Sequence, residues 1–229
     1  METTVAVVGG TGAEGSGLAL RFAKAGARVL IGSRMLAKAE AAAQKIAAAA
    51  GAGQVTGHAN PDAVGGAGIV VLTVPLAAQV EILKSIRVSF RPGAILVDAT
   101  VPLEIAIGGR VSRTLTLWDG SAAQQAARLA PAGIRVVAAF HALSADALSN
   151  LDQPVDCDVL MCGDDADAKG RVRRLAALIP GVRVIDAGPL DNARMLENAA
   201  ALLISLNLRY KRKSSGIRVT GIELEGAAR

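Results

Sequence analysis

Val7–Gly17 reads VVGGTGAEGSG. A run of small apolar residues, TVAVV from Thr4 to Val8, leads directly into it, and GAEGSGLALRFAKAG follows with helical periodicity up to a stop at Gly26. A strand, a glycine-rich turn and a helix in immediate succession open a doubly wound α/β fold. Gly10, Gly12 and Gly15 supply G-x-G-x-x-G. The first glycine permits the tight turn, the second lets the backbone approach a pyrophosphate, and the third lets the helix pack close to the strand. The start of the helix, at Ala13 and Glu14, then offers free N–H groups to the phosphates.

The rest of the chain alternates in the same way. ARVLIGSR reads as a second strand, QVTGH as a third, GIVVLTVP as a fourth and GAILVDAT as a fifth. Between them lie the Ala-rich helix MLAKAEAAAQKIAAAA, a short helix NPDAVGGA with Asn60 as its cap, and the helix LAAQVEILKSI. The fourth strand is continuously apolar, as parallel strands buried on both faces are. Helix SAAQQAARLA and strand IRVVAAFHA complete a first domain over residues 1–145. A smaller α/β part over 146–229 holds the strand DVLMCG, the helix DADAKGRVRRLAALI, the strand VRVIDAG and a long helix from about Leu190 to Lys211. The final RVTGIELEG reads as an edge strand or a loose tail. The expected fold is a doubly wound parallel sheet with this smaller C-terminal part.

The second strand decides which dinucleotide binds. An NAD site ends that strand with an acid for the adenosine ribose hydroxyls. Here the strand ends Gly32-Ser33-Arg34, and no carboxylate follows until Glu40. Arg34 offers a planar fork of donors to a 2′-phosphate and Ser33 a hydroxyl. Lys38 lies one helical turn beyond Arg34, and Thr11 in the glycine turn points to the same edge. The pattern predicts NADP(H). The turn is no P-loop, since no Gly-Lys-Ser/Thr follows. A Tyr–Lys dehydrogenase pair is also absent, because Ser214 stands four residues after Tyr210, the one tyrosine.

Composition bounds the alternatives. The 229 residues are 52% hydrophobic but only 2% aromatic, so the core must be built from Ala, Val, Leu and Ile. The net charge is +5, yet the aromatics that stack nucleic-acid bases are nearly missing, so an anionic small molecule is the expected partner. The one dense basic run, Arg209–Lys213, reads as a solvated helix end, with a contact to an anionic ligand's carboxylates as the alternative. Cys157 and Cys162 are five apart on a strand, which points them to opposite faces as buried small residues, and no metal site is expected. No leader pattern precedes the first strand, and the most apolar run, GIVVLTVPLAAQV, is too short to span a bilayer; the expectation is a cytoplasmic protein.

Several segments together resemble the NADPH-dependent reductases of the 8-hydroxy-5-deazaflavin coenzyme F420. They are GGTGAEGSGLALRFAKAG with GSR, then LTVP, AAFHAL, MCGDD and DAGPLDNARMLE, from about Val5 to Leu208. The resemblance implies a cleft at the C-terminal ends of the strands, where hydride passes between nicotinamide C4 and deazaflavin C5. It implies that Thr11, Ser33, Arg34 and Lys38 recognise the 2′-phosphate and that Thr73, Val74 and Pro75 border the nicotinamide. It places His141 and Leu143 beside the reacting rings and Asn192 on the deazaflavin side. Two segments depart from the family pattern: Leu76 stands where an aromatic residue is common, and Ala142-Leu143-Ser144 replaces Thr-Ile-Pro.

Hydride transfer between two bound rings needs alignment more than acid–base groups, so no catalytic triad is expected. His141 closes an apolar strand at the end where ligands bind; it is a candidate for bonding the deazaflavin edge or a strand-end histidine with a backbone partner. Asp164 and Asp165 read as a helix cap, and Arg194 with Glu197 as a pair on one helix face. Alternatives on the same scaffold are a reductase of a small carbonyl or imine, a flavin or metal-chelate reductase, and an NADP-binding module without turnover. The apolar long helix is compatible with a homodimer.

Overall fold

Eight strands form one sheet in the computed structural model, which describes residues 4–51 and 54–222. They are β1 (Thr4–Val8), β2 (Arg28–Ser33), β3 (Val55–Ala59), β4 (Ile69–Leu72), β5 (Ile95–Asp98), β6 (Arg135–Ala138), β7 (Asp158–Gly163) and β8 (Arg183–Asp186). The helices are α1 (Ala13–Lys24), α2 (Leu36–Ala50), α3 (Asn60–Gly66), α4 (Leu76–Ile86), α5 (Ala122–Leu129), α6 (Ala145–Ser149), α7 (Ala166–Ala176) and α8 (Ala193–Tyr210). The strand order is β3-β2-β1-β4-β5-β6-β7-β8. From β3 through β6 every neighbour is parallel; β7 runs antiparallel to β6, and β8 is parallel to β7. The chain starts in the middle of the sheet and winds outward both ways, so the loops after β1 and β4 diverge and leave a crevice at the strands' C-terminal ends.

Alternation along each strand sends side chains into two separate cores. Val5, Val7, Val29 and Ile31 pack on one face with Leu18 and Phe22 of α1 and Ile46 of α2. Ala6, Val8, Leu30 and Leu72 pack on the other with Ala63 of α3, Ile82 of α4 and Ala123 of α5. Both cores are almost wholly aliphatic. Cys157 lies in the first and Cys162 in the second, each buried as a free thiol.

Two local expectations change, and one open alternative is decided for the described residues. Asn60 is the first residue of α3 rather than its cap, which is Ala59. Its buried Oδ1 lies against Gly32, where a Cβ would stand 2.9 Å away, so Asn60 fills the gap under β2. Glu197 does not pair with Arg194; it turns inward and accepts from the Ala122 and Ala123 N–H groups at 3.2 Å, capping α5. Of RVTGIELEG, residues 218–222 form no strand, and 223–226 lie outside the described residues.

Residues 211–222 run back across the molecule under a set of ties. Ser144 Oγ donates to the Lys213 carbonyl, and Asn207 Oδ1 accepts from Ser215 N. The fully buried Asp158 carboxylate binds the Arg183 and Arg218 guanidiniums and Val219 N at 2.6–2.8 Å. Burial pushes the Asp158 carboxyl up, but these bonds outweigh it and hold it below the usual carboxylate range. Among the described residues, no helix is long and apolar enough to cross a membrane.

Candidate active site

The glycine turn sits at the crevice because β1 ends there. Gly12 begins α1 with no side-chain cap, which leaves the first N–H groups of the helix free for an anion. A Cβ on Gly10 would stand 2.9 Å from the Val7 carbonyl oxygen and 3.1 Å from Ile31, so the turn tolerates no side chain there. At Gly12 the nearest atom to such a Cβ is the Gly9 carbonyl oxygen at 3.3 Å, so the outer side of the turn is open to a ligand. This cradle fits a pyrophosphate.

A cleft of about 640 Å³ opens beside the turn. Gly12, Ala13, Glu14, Thr73, Val74, Pro75, His141 and Leu143 all border it. Those residues were expected on the cofactor site, and the fold brings them together from α1, the end of β4 and the turn after β6. Thr11 and Lys38 lie round the edge of α1, lining a groove between α1 and α2. Ser33 and Arg34 end β2 beside it, and Ser33 Oγ accepts from Met35 N at 3.2 Å. Helix α2 has no acid in its first turn and no side-chain cap, and among the described residues neither Arg34 nor Lys38 pairs with a carboxylate. Two unpaired cations at an uncapped helix start fit a phosphate. Asn192 is not among the residues that border the cleft; its amide donates to the Ala187 carbonyl at 2.6 Å and closes the turn before α8.

His141 is 8% exposed, and its ring nitrogens make no well-formed hydrogen bond in the protein, although the Thr100 backbone lies close to the ring. Burial lowers its pKa to about 4 against the opposing Thr100 backbone, so the ring is neutral near pH 7. A neutral imidazole offers one donor and one acceptor to a ligand but no charge. The residue before it, Phe140, has φ 76° and packs edge-on against Phe22, ring centroids 6.1 Å apart. Leu143 N donates back to the Phe140 carbonyl, and this turn sets His141 and Leu143 into the cleft wall.

Behind the cleft lies a buried acid network that the sequence did not announce. Asp98, at the end of β5, accepts from Gln79 Nε2 at 2.6 Å and Thr100 N at 2.7 Å. Gln125 donates to Gln79, which also donates to the Ala122 carbonyl beside Glu197. Desolvation raises Asp98 to about 6 against those bonds, and raises Glu197 to about 7 against its two N–H donors. Glu14 reaches about 8 through desolvation and the nearby Asp98 charge. The cleft also gains residues with no earlier signal: Val101 and Leu103 from the loop after β5, Leu203 and Asn207 of α8, and Ser215 of the returning tail; Lys213, the last residue of the basic run, borders it as well.

Residues 4–102 match the protein family described as NADP oxidoreductase, coenzyme F420-dependent. Over 225 residues the chain is 49% identical to the F420-dependent NADP reductase of Methanothermobacter thermautotrophicus, with 97% of each chain covered. The reductase of the same name from Methanocaldococcus jannaschii is 41% identical over 224 residues, 96% of this chain and 99% of that one. The chain belongs to the F420-dependent NADP reductase family.

A solved chain of Arthrobacter sp. FB24, provisionally described as an F420-dependent NADP reductase, superposes with a TM-score of 0.78 at 26% identity, covering 94% of this chain and 98% of that one. The NADPH complex of a reductive aminase from Aspergillus terreus shares the fold at TM-score 0.61 and 19% identity, but this chain spans only 64% of its length. The two departures from the reductase pattern have visible consequences. Leu76 begins α4 on the cleft wall with an aliphatic surface. Ser144, in place of proline, caps α6 by accepting from Asp146 N and Ala147 N while it holds the tail at Lys213.

Proposed function

We propose that this reductase transfers a hydride between NADP(H), held on the glycine turn, and the deazaflavin coenzyme F420, held against the rest of the cleft. The observation that carries the reading is one cleft continuous from the phosphate-binding turn to the inner face of α8 and the tail, within a family of that activity. The two coenzymes supply the redox chemistry, and the chain supplies alignment. Ala13 and Glu14 present free N–H groups to the pyrophosphate beside Gly12, whose own N–H closes the turn on the Gly9 carbonyl, and Thr11, Ser33, Arg34 and Lys38 read the 2′-phosphate. Val74 and Pro75 support the nicotinamide, and His141 and Leu143 border the reacting rings, His141 as a neutral hydrogen-bonding group. The part from residue 146 onward closes the deazaflavin end through Leu203, Asn207, Lys213 and Ser215.

Mixing purified protein with oxidised coenzyme F420 and NADPH is expected to bleach the deazaflavin absorbance, with NADH giving at least about 100-fold lower kcat/KM. NADPH binding without deazaflavin reduction would sink the reading and turn attention to small carbonyls or imines.

The same reading includes a homodimer. Met195 and Leu202 lie two turns apart on one face of α8 and are 54% and 58% exposed, a face suited to a second copy of this chain. Light scattering is expected to give a dimer that Leu202→Glu dissociates; a monomer in the parent protein removes the proposal.

A further inference from the structure

Glu14 occupies the second position of α1, on the turn that receives the pyrophosphate. The residue is half-buried, but its Oε1 is fully enclosed and meets no hydrogen-bonding partner in the protein. Thr73, Val74 and His141 border the same cleft, and the His141 ring nitrogens also lack a well-formed bond in the protein. Buried polar atoms are nearly always satisfied, so unmet capacity on a carboxyl that borders a ligand cleft points to an atom of the ligand as the partner of the group.

The charges around Glu14 disfavour its ionised form. Asp98 faces it from the end of β5 and already takes the Gln79 amide, and Glu197 on α8 adds negative charge behind Asp98. His141 is buried and uncharged. On α1 itself, Arg21 spends its guanidinium on the Ala147, Leu148, Asn150 and Gln153 carbonyls. Thr73 beside β4 is uncharged, and Lys213 is the one lysine or arginine among the cleft's described lining residues, with no ion pair to Glu14. The N-terminal dipole of α1 favours a carboxylate, but a bound pyrophosphate takes those same N–H groups and brings its own negative charge.

We propose that the Glu14 side chain is a second determinant of dinucleotide binding: as a neutral acid it donates a hydrogen bond to an oxygen of bound NADP(H), and on losing its proton it repels the dinucleotide. This rests on the reading of the cleft given above. The ionisation of Glu14 near pH 8 in the ligand-free protein sets the window. Below it the donor is present; above it binding must recapture a proton, so affinity falls as pH rises.

Calorimetric titration with NADP⁺ across that window tests the idea. The 2′-phosphate, with a second pKa of about 6, is already ionised there and adds no slope. The parent protein is expected to hold a level Kd up to about pH 8 and to weaken by about tenfold per pH unit above it. Glu14→Gln keeps a donor with no proton to lose; it is expected to bind within a few-fold of the parent near pH 7 and to show no slope. Glu14→Leu is expected to bind about tenfold more weakly near pH 7. A level parent profile, a slope that survives in Glu14→Gln, or a Glu14→Leu variant as tight as the parent each overturns the proposal. Circular dichroism checks that the variants are folded. A parent protein that reduces coenzyme F420 with NADPH but shows a level profile overturns Glu14's role alone; one that fails to bind NADP⁺ at any pH overturns the cleft reading itself.

Discussion

Replacing Arg34 and Lys38 together by leucine is expected to lower kcat/KM for NADPH by about 10²–10⁴-fold and to leave NADH within a few-fold. Each charge-assisted bond to the 2′-phosphate contributes about 1.5–3 kcal/mol, and two neighbouring ones need not add. The structure gives these cations nothing else to do: both are exposed, and neither has a carboxylate partner among the described residues. They stand at the uncapped start of α2, where bare positive charge is mildly unfavourable for the helix, so their removal should cost no stability. The double variant therefore separates binding from folding. Steady-state kinetics with both nucleotides read the outcome; equal losses for NADPH and NADH would place the 2′-phosphate elsewhere.

The second large effect is expected from Gly15→Ala, and Gly12→Ala is its control. A Cβ at Gly15 would lie 2.5 Å from Thr73 Oγ1, 2.6 Å from the Gly9 carbonyl oxygen and 2.9 Å from Gly10 Cα. Two of those atoms are backbone and cannot rotate away, so α1 must lift off the end of β1. We expect a stability loss of about 3 kcal/mol or more, at the upper end of overpacking costs, together with loss of NADP(H) binding. Gly12→Ala meets only the Gly9 carbonyl oxygen, at 3.3 Å. It should unfold within about 1 kcal/mol of the parent protein yet bind NADP(H) at least about tenfold more weakly, because its methyl group stands where the pyrophosphate approaches. Thermal denaturation and nucleotide titration of both variants give the comparison. Equal binding by Gly12→Ala and the parent protein would show that the ligand does not use this turn.

How far the sequence disclosed all this depended on the range of each interaction. DVLMCG and LAAQVEILKSI were legible to the residue, as β7 and α4, because local periodicity alone defines them. The glycine turn was legible because its three constraints fall within six residues. The reversed direction of β7 was not, since an apolar run reads the same in parallel and antiparallel pairings. Neither was the acid network, whose links join Gln79 to Asp98 and Glu197 to Ala122 across 19 and 75 residues. Glu14 was read for its backbone N–H, while the enclosure of its side chain follows from where the ends of β4 and β5 and the turn after β6 converge. Asn192 was assigned to the deazaflavin side by resemblance alone; in the fold its amide has a backbone partner, the Ala187 carbonyl, which no local pattern announced. Residues 101–120 carry no regular pattern, so their contribution of Val101 and Leu103 to the cleft had no signal to find.

The Phe140 turn ties the two walls of the cleft to one another. A bulky side chain at φ 76° costs on the order of 1–3 kcal/mol and persists only where its surroundings enforce it. The Phe140 ring packs edge-on against Phe22, so two of the chain's three phenylalanines meet at this point. Phe22 belongs to α1, whose first turn carries the dinucleotide cradle, and Phe140 directly precedes His141. The aromatic pair acts as a latch under tension. Release it, and the His141 wall is free to relax away from the α1 wall without any ligand contact having been touched. On the proposed reading of the cleft, registration between the two coenzyme rings would then depend on two other rings packed beneath its walls.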